Sequence, residues 1–538
     1  MVTRGNVELV NTKLTLSSMT YFSPNCPTTG ADMTTVFNTL TLGTGTELKL
    51  ERFQRNDDPR NKVIFDGGKI IPIHSYFKEG QFFYSGQNGI FEVETTAGNY
   101  VDIAGLGTNT VTMSSNHLHV QGEGGLRVNG GTGTASATIN NLASYGTLML
   151  GYKSYLTDFS LAYGGDTVVE SGVLRPCLPD IFPQGSGRLT GGVNGIFDLY
   201  GFNQSFAGIA ADAKLRIDNT HLPAELTLNA GDADTTLSTP VHGATIVRKA
   251  GAGEMTVNSW LNHGLTVHEG SAKTVNTEAP CYLHYRFKIE DRRTASMGMM
   301  QVSEFKLMDG NVDVTPLRAA IAFDTDKGGM ANAYPANETP DLVVDGLMST
   351  KWLDYRVAAS TQANRDRVWI KLSYAKPQRV THYAFAQAND ENARDISAWR
   401  LQGSNDGTTW TDLDVHTGEP GPLERWYWRG PFTLCGGAFG PEGALAVENG
   451  ASFTADGGTV PVHGVSGAVP LANGATLVSD GGVISGTISG EGSLVKNGTG
   501  SLALNGAHTY TGVTHIEGGT VDFGAAPVSS IPSFGGKY

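Results

Sequence analysis

Residues 496–524 read KNGTGSLALNGAHTYTGVTHIEGGTVDFG, and this stretch decides the class of fold. Leu502 and Leu504 alternate with small residues, a period of two that places both side chains on one face of a short strand. Glycine and asparagine stand between such runs, where they permit left-handed backbone at corners. The stretch therefore predicts short β-strands joined by tight corners.

The same pattern occurs earlier in the chain. Lys-x-Gly-x-Gly, followed by two alternating apolar residues, begins at Lys496 and also at Lys249. Three copies share a threonine and, three residues later, a glutamate: Thr167 and Glu170, Thr266 and Glu269, Thr514 and Glu517. Short strands at regular spacing are what a coiled parallel solenoid requires, because each coil buries its inner face only against a neighbour. The recurrence indicates that these residues have structural tasks.

The repeat resembles the autotransporter-associated β-strand repeat, which occurs in passenger regions of large bacterial surface proteins. The resemblance covers roughly residues 60–275 and 440–538, and residues 1–60 are compatible with it. It implies a right-handed parallel β-helix. The opening residues lack the apolar core of a signal peptide, and we expect further coils outside this chain.

The composition excludes some function classes. The chain has 538 residues with 70 glycines and 17% charged residues, which favours β structure with many turns. A net charge of −14 argues against a nucleic-acid partner, since binding phosphates needs a basic surface. No run of eighteen apolar residues occurs, so we expect no membrane-spanning helix.

A region of different composition interrupts the repeats. Residues 280–434 hold six of the seven tryptophans, and their candidate strands alternate with loops as in an antiparallel sandwich. Three stretches carry a second resemblance: VVDGLMSTKWLD (343–354), VWIKLSYAKPQRVTHYAF (368–385) and SAWRLQGSNDGTTWTDLD (397–414). Together they resemble a discoidin-like (coagulation-factor type C) domain of the galactose-binding jelly-roll fold.

We therefore predict an all-β chain, a right-handed parallel β-helix interrupted by a discoidin-like jelly-roll β-sandwich. The predicted boundaries are 1–277 for the first part of the β-helix, 278–437 for the sandwich and 438–538 for the second part.

Candidate carbohydrate-binding residues lie in two loops of the sandwich. Sugars present apolar patches and hydroxyl rims, so an aromatic face with polar groups on loops fits them. The candidates are Trp352, Tyr355, Arg356, Asn389 and Arg394. The alternatives are that Trp352 belongs to the core and that Arg394 forms a structural ion pair.

The discoidin resemblance also implies a structural calcium ion and a disulfide. Asp345 and Thr350 would supply hard oxygen ligands to Ca²⁺, although Leu347 stands where the family commonly has an acidic residue. Many relatives join their adjacent chain ends by a disulfide, and Cys281 and Cys435 occupy the corresponding places. The pairing of Cys26 and Cys177 stays open.

By resemblance, the leading functional hypothesis is a non-catalytic, secreted or cell-surface bacterial protein. Its sandwich would bind a glycan or polysaccharide as an adhesin does, with the β-helix as a rigid stalk. One alternative is a β-helical lyase or hydrolase that degrades polysaccharides, in which a deep groove lined by carboxylates or by Arg and Lys is expected. Another is a structural surface protein whose sandwich binds protein through a flat apolar end.

Overall fold

The structure is a computed structural model of the chain. It describes residues 165–524 except 183–186, 327–332, 420 and 422–424. Before residue 165 it describes mainly strands: 6–16, 20–22, 38–50, 53–55, 61–72, 83–85, 91–95, 100–104, 110–113, 118–122, 125–129, 147–150 and 160–163. Cys26 lies outside the described residues.

The chain divides into two compact units. The N-terminal unit comprises Met1–Ala137, Ser144–Gly231 and Gly243–Thr245. The C-terminal unit comprises Thr138–Ala143, Asp232–His242 and Ile246–Tyr538.

The N-terminal unit is built from parallel strands. They are β1 Asn6–Leu9, β2 Lys13–Leu16, β3 Thr20–Phe22, β4 Asn38–Gly43, β5 Glu47–Leu50, β6 Phe53–Arg55, β7 Asn61–Asp66, β8 Lys69–Pro72, β9 Phe83–Ser85, β10 Phe91–Thr95, β11 Tyr100–Ala104, β12 Thr110–Met113, β13 Leu118–Gly122, β14 Gly125–Asn129, β15 Thr147–Leu150, β16 Ser160–Tyr163, β17 Thr167–Pro176, β18 Arg188–Asp198, β19 Gln204–Phe206, β20 Gly208–Ile209, β21 Arg216–Asp218 and β22 Ala224–Asn229.

These strands stack as the coils of a solenoid. One sheet has the order β1-β4-β7-β10-β13-β16, so every third strand returns to the same face. A second sheet runs β2-β5-β8-β11-β14-β17 in the same way, and a third joins β3, β6 and β9. The inward positions are apolar, with Leu42, Phe65 and Val93 fully buried.

The C-terminal unit continues with parallel coils, then a sandwich, then parallel coils again. The first coil strands are β23 Thr235–Leu237, β24 Thr245–Ala250, β25 Glu254–Val257, β26 Trp260–Leu261, β27 Gly264–Val267 and β28 Ser271–Val275. The last coil strands are β40 Ala438–Phe439, β41 Ala444–Val447, β42 Ser452–Asp456, β43 Thr459–Pro461, β44 Gly464–Ser466, β45 Ala468–Ala472, β46 Thr476–Ser479, β47 Gly482–Ile484, β48 Thr487–Gly490, β49 Ser493–Lys496, β50 Ser501–Leu504, β51 Thr514–Ile516 and β52 Thr520–Asp522.

The coil after the sandwich stacks directly on the coil before it. Leu265 of β27 pairs with Leu445 of β41, and Ala272 of β28 pairs with Phe453 of β42. The parallel pairing of the coil strands therefore continues directly from β27 and β28, before the insertion, to β41 and β42, after it. Farther along, Leu445 pairs with Val465, Val465 with Ile484 and Ile484 with Leu504, so a coil takes 19 or 20 residues.

The recurring lysines and two of the three recurring threonines are buried. Lys249 donates from Nζ to the carbonyl oxygens of Gly251 and Glu269, and Lys496 donates to those of Asn497, Gly498 and Gly518. Two of the recurring threonines, Thr167 and Thr514, are buried and each hydrogen-bonds a tyrosine hydroxyl four residues earlier, Tyr163 and Tyr510. The repeated residues thus satisfy polar groups inside the coils.

The insertion is an antiparallel sandwich. Its strands are β29 Cys281–Arg292, β30 Met300–Val302, β31 Glu304–Asp309, β32 Val312–Asp313, β33 Ala320–Phe323, β34 Trp352–Asp354, β35 Trp369–Arg379, β36 His382–Ala386, β37 Ile396–Ser404, β38 Thr411–His416 and β39 Trp428–Thr433. Its short helices are the 3₁₀ segments Thr315–Leu317, Pro340–Val344, Arg356–Ala358 and Asn392–Arg394, and α1 Gln362–Arg365.

Two sheets enclose one apolar core. The sheet β33-β35-β29-β37-β38 faces the sheet β32-β31-β36-β39, and β30 pairs separately with β34. Phe287 stacks on Phe305 with ring centroids 4.5 Å apart, and Trp399 meets Phe385 edge to face at 5.1 Å. Alternation along β29 buries Tyr285, Phe287 and Ile289 and turns the residues between them outward.

Candidate functional site

The stretch VVDGLMSTKWLD (343–354), which we call the Asp-Gly motif, and the turn after it place two of the predicted sugar-binding residues in the interior. Trp352 and Arg356 are both 0% exposed. Their side chains have no surface to offer a sugar in this structure, which agrees with the alternative that Trp352 belongs to the core.

A buried carboxylate explains why both residues point inward. Asp354 accepts a hydrogen bond from Trp352 Nε1 at 3.2 Å and a two-pronged contact from Arg356 Nε and Nη2 at 3.0 and 2.7 Å. Arg356 Nη1 also donates to the carbonyl oxygens of Asp324 and Asp326. A buried guanidinium needs such partners for its charge, and here they hold the loop against the sandwich core.

One further predicted residue, Arg394, belongs to a group of charged side chains that we call the loop cluster: Glu338, Lys351, Asp390 and Arg394. Lys351 Nζ is 2.7 Å from Asp390 Oδ2 and 3.5 Å from Glu338 Oε1. Arg394 Nη1 is 3.3 Å from the same oxygen of Asp390. The alternative in which Arg394 forms an ion pair is therefore observed.

The two remaining predicted residues differ in exposure. Asn389, which precedes Asp390, is exposed, and Tyr355 is half-buried. Burial would raise the pKa of Asp390, but the hydrogen bond and charge of Lys351 hold it below its ordinary value. Asp390 therefore stays ionised as a hydrogen-bond acceptor, and the cluster offers both donors and acceptors to a hydroxylated ligand.

Sequence reasoning missed Glu338 and Lys351. Lys351 lies between Thr350 and Trp352 in the Asp-Gly motif, so the sequence already indicated that it belongs to this loop. Its partners were not visible, because Glu338 and Asp390 come from separate loops that only the fold brings together.

The loop cluster lies at the far end of the sandwich from its attachment to the coils. Strand β29 starts at Cys281 beside Arg379, where the insertion begins, and ends at Arg292 beside Ile396. At about 3.3 Å per residue, its twelve residues span roughly 35–40 Å. Asn389 and Arg394 come just before Ile396, so the cluster belongs to the distal end.

A second candidate site lies in a groove of about 530 Å³ beside the Asp-Gly motif, lined by Glu304, Lys306, Asp313, Arg318 and Asp345 among others. Glu304 is 2% exposed, and its Oε1 accepts the amide hydrogens of Gly346 and Leu347 at 3.1 and 3.0 Å. Burial and the neighbouring Asp345 raise the pKa of Glu304 to about 8.

The predicted calcium ligands lie beside Glu304. Thr350 Oγ1 is 2.8 Å from both Asp345 Oδ2 and the Leu347 carbonyl oxygen. Two carboxylates, a hydroxyl and a carbonyl form a donor set of hard oxygens, which is the chemistry that Ca²⁺ prefers. The side chain of Leu347 is 56% exposed and only its backbone takes part. In the described part of the chain no three His, Cys, Asp or Glu side chains form a metal-binding group.

The predicted disulfide is not present in the structure. Cys281 is an exposed free thiol and Cys435 a buried one. Cys435 lies 3.7 Å from the carbonyl oxygen of Thr381, and burial raises its pKa to about 12. Desolvation therefore keeps Cys435 as a neutral thiol.

Comparison with protein families agrees with both resemblances. Residues 329–427 match the F5/8 type C domain, a span that includes the Asp-Gly motif and the loop cluster. The inserted sandwich is a discoidin-type domain. Residues 494–522 match the passenger-associated-transport-repeat, and they nearly coincide with the stretch from Lys496 to Gly524.

The two matches confirm a passenger-type β-solenoid with a discoidin insert. A discoidin-type domain indicates a ligand-binding module, and the passenger repeat indicates a secreted or surface protein. Comparison with curated proteins found no match, and comparison with solved structures found none either. Among the residues that the structure describes, no helix has the length and apolar character needed to span a membrane.

Proposed function

We propose that this chain is part of a bacterial surface protein that binds glycans through the distal end of its discoidin-type sandwich. The observation that carries the proposal is the loop cluster, where Lys351 meets Asp390 and Arg394 of a second loop at the end of the sandwich farthest from the coils. Hydroxyl groups of a sugar can accept from the two cations and donate to the carboxylate. The coils act as a rigid support, and the chain carries out no reaction itself.

The position of the sandwich supports a role in display. Because the coils stack without interruption across the insertion, the solenoid does not have to be remodelled to carry the sandwich. The distal loops are then free to contact a glycan while the opposite end is anchored.

A glycan array with the full chain tests the proposal. We expect binding to a subset of neutral sugars, and loss of that binding in Asp390→Asn, which removes the acceptor charge that holds Lys351 and Arg394. Lys376→Gln, which changes an exposed cation in the β35 segment near the attached end, is the matched control. A folded chain that is silent across broad arrays, or equal loss in both variants, would contradict a distal glycan site.

We propose further that Glu304, Asp345 and Thr350 hold a structural Ca²⁺ ion. The support is that two carboxyl groups lie together in a groove where a cation would neutralise them. We predict that calcium raises the melting temperature of the chain and that a chelator reverses the change. A ligand present at 100 times its dissociation constant stabilises by about 2.7 kcal/mol, which a thermal melt resolves easily.

The matched variants for calcium are Glu304→Gln and Asp313→Asn, the latter a carboxylate elsewhere in the same groove. Glu304→Gln should abolish the calcium-dependent shift, and Asp313→Asn should preserve it. A shift of equal size in wild type and Glu304→Gln would exclude this site.

A further inference from the structure

The outer face of the five-stranded sheet carries a group of side chains that the distal site does not use. Alternation along β29 and β35 turns Arg286, Trp369 and Lys371 away from the core. The guanidinium of Arg286 lies over the ring of Trp410 at 4.2 Å and over that of Trp369 at 5.9 Å. We call Arg286, Trp369 and Trp410 the Trp–Arg platform.

The platform is held in place by its surroundings. Asp406 accepts the amide hydrogens of Thr408 and Thr409, both at 2.7 Å, and so fixes the turn immediately before Trp410. These hydrogen bonds keep the pKa of Asp406 far below its ordinary value. On the sheet, Arg286 Nε donates to Gln402 Oε1 at 2.7 Å, which fixes the guanidinium between the indoles. Both tryptophans keep part of their surface in solvent.

Two cations on this face form no direct ion pair with a described carboxylate. Lys371 and Arg286 are cross-strand neighbours on β35 and β29. Nearby cations are paired: Lys288 Nζ is 2.8 Å from Asp366, and Arg400 is 2.7 Å from both Glu290 and Asp412. Within the described residues, no carboxylate comes within 4 Å of the charged nitrogens of Arg286 or Lys371. Burial lowers the pKa of Arg286, and the charges of Asp412 and Asp366 partly offset this at longer range. Because neither cation has a carboxylate in direct contact, the pair attracts an anionic group, and the guanidinium fork fits a carboxylate or sulfate.

We propose that the outer sheet face is a second binding site, one that takes an acidic saccharide chain. The anionic group of the sugar binds between Arg286 and Lys371, and the exposed parts of Trp369 and Trp410 pack against its apolar ring faces. The His284 and Ser373 side chains, 2.8 Å apart one pair farther along the same face, continue the polar surface for a neighbouring sugar. This site is independent of the loop cluster and does not require it.

Titration of the full chain with three probes tests the proposal, with tryptophan fluorescence as the readout. The probes are a hexuronate oligosaccharide, its carboxyl-reduced neutral counterpart and a sulfated oligosaccharide of equal length. We expect quenching by at least one acidic probe, weakened by salt, and at least about tenfold weaker binding of the neutral probe. Comparison of the two acidic probes shows whether carboxylate or sulfate is preferred.

Two variants locate the site without disturbing the core. Lys371→Glu should weaken acidic binding about tenfold or more by reversing one charge, and Trp410→Ala should do the same by removing one ring. Trp428→Ala is the matched control. Trp428 lies on the other sheet of the sandwich, where Lys306 Nζ is 5.0 Å from the centroid of its ring. The distal-site variant Asp390→Asn should bind the acidic probe normally, which separates this proposal from the distal glycan site.

Four outcomes would overturn the sheet-face site. The first is equal binding of acidic and neutral probes, and the second is normal acidic binding in folded Lys371→Glu. The third is an equal loss in Trp428→Ala and Trp410→Ala. Failure of every acidic probe to bind wild type would also contradict it.

Discussion

The lysine that opens the repeat is a buried cation whose neighbours are backbone carbonyls. Lys496 is 0% exposed and its ammonium group donates to three carbonyl oxygens at one corner of the coil. Desolvation lowers its pKa, and only the nearby Asp480 opposes this. A lysine in this place satisfies carbonyl groups that the tight corner leaves without amide partners.

We predict that Lys496→Met lowers the free energy of unfolding by about 2–4 kcal/mol. Methionine keeps the length of the side chain but leaves the three carbonyl oxygens without a donor. Urea unfolding measures the change, with the exposed Lys376→Met as control, for which we expect less than about 0.5 kcal/mol. Equal midpoints for the two variants would show that the corner does not depend on the ammonium group.

A second prediction at this scale concerns His416, which lies between two carboxylates. Its Nδ1 is 2.8 Å from Glu419 and its Nε2 is 2.9 Å from Asp414, while its ring stacks on Trp399 at 4.3 Å. Burial alone would lower the pKa of His416, but the hydrogen bonds with Asp414 and Glu419 outweigh burial and raise it to about 9.

Because the folded pKa lies above the unfolded value of about 6.5, His416 stabilises the fold fully below pH 6.5, and this contribution is lost as the pH rises to 9. We predict that wild type loses about 2–3 kcal/mol more than His416→Gln between pH 6 and 9.5. Denaturant unfolding at both pH values measures this difference. His515→Gln, at an exposed position, should follow wild type, and parallel pH profiles for wild type and His416→Gln would refute the prediction.

Asn276 connects the two elements at which the insertion leaves and rejoins the solenoid. Its Nδ2 donates to the carbonyl oxygens of Gly437 and Thr459 at 2.9 and 2.8 Å, and the residue is 7% exposed. One amide therefore joins the strand that enters the sandwich to the segment that leaves it.

We predict that Asn276→Ala destabilises the C-terminal unit by about 1–3 kcal/mol, because two buried carbonyl groups lose their donor. Thermal unfolding of the full chain measures the loss, with the exposed Asn449→Ala as control. If both variants melt at the wild-type temperature, the junction does not depend on this amide.

The segment around β34 shows why part of the site could be predicted and part could not. Trp352 and Arg356 are four residues apart in sequence, so they could be grouped in advance, although Arg356 begins a 3₁₀ helix after β34 and strand alternation does not relate the two. The sequence did not reveal that the Asp354 side chain is buried and accepts hydrogen bonds from Trp352 and Arg356. Asn389 and Arg394 belong to one loop and could be grouped from the sequence, whereas the contacts of Lys351 with Glu338 and Asp390 join separate loops.

On the scale of the whole chain, the solenoid was more predictable than the site. Each coil repeats a local pattern, and Lys249 and Lys496 mark equivalent corners, so the sequence alone indicates the architecture. No repeated sequence pattern indicates which residues of the sandwich contact the coils. They join positions far apart in sequence, as Asp309 and Asn497 do.

Those contacts fix the sandwich to three successive turns of the coils. Asn311 Nδ2 is 3.4 Å from Asp480, Asn497 Nδ2 donates to the Asp309 carbonyl oxygen at 2.9 Å, and Arg379 Nη2 is 3.0 Å from Glu517. Glu517 is the glutamate of the repeat, so one recurring residue here serves the insertion. Arg379 also binds Asp309 at 2.9 Å, which links the two contacts.

We predict that the double variant Arg379→Gln, Asn497→Ala loosens the sandwich from the coils and leaves both folded. Hydrogen–deuterium exchange should become faster at β32 and at β51, where the contacts are lost, and stay unchanged in the centre of β29. Arg400→Gln, which breaks an ion pair on the outer sheet face, is the matched control and should leave β51 unaffected. Unchanged exchange at β51 in the double variant would mean that other contacts, such as that between Trp260 and His382 with rings 4.7 Å apart, are sufficient to hold the sandwich against the coils.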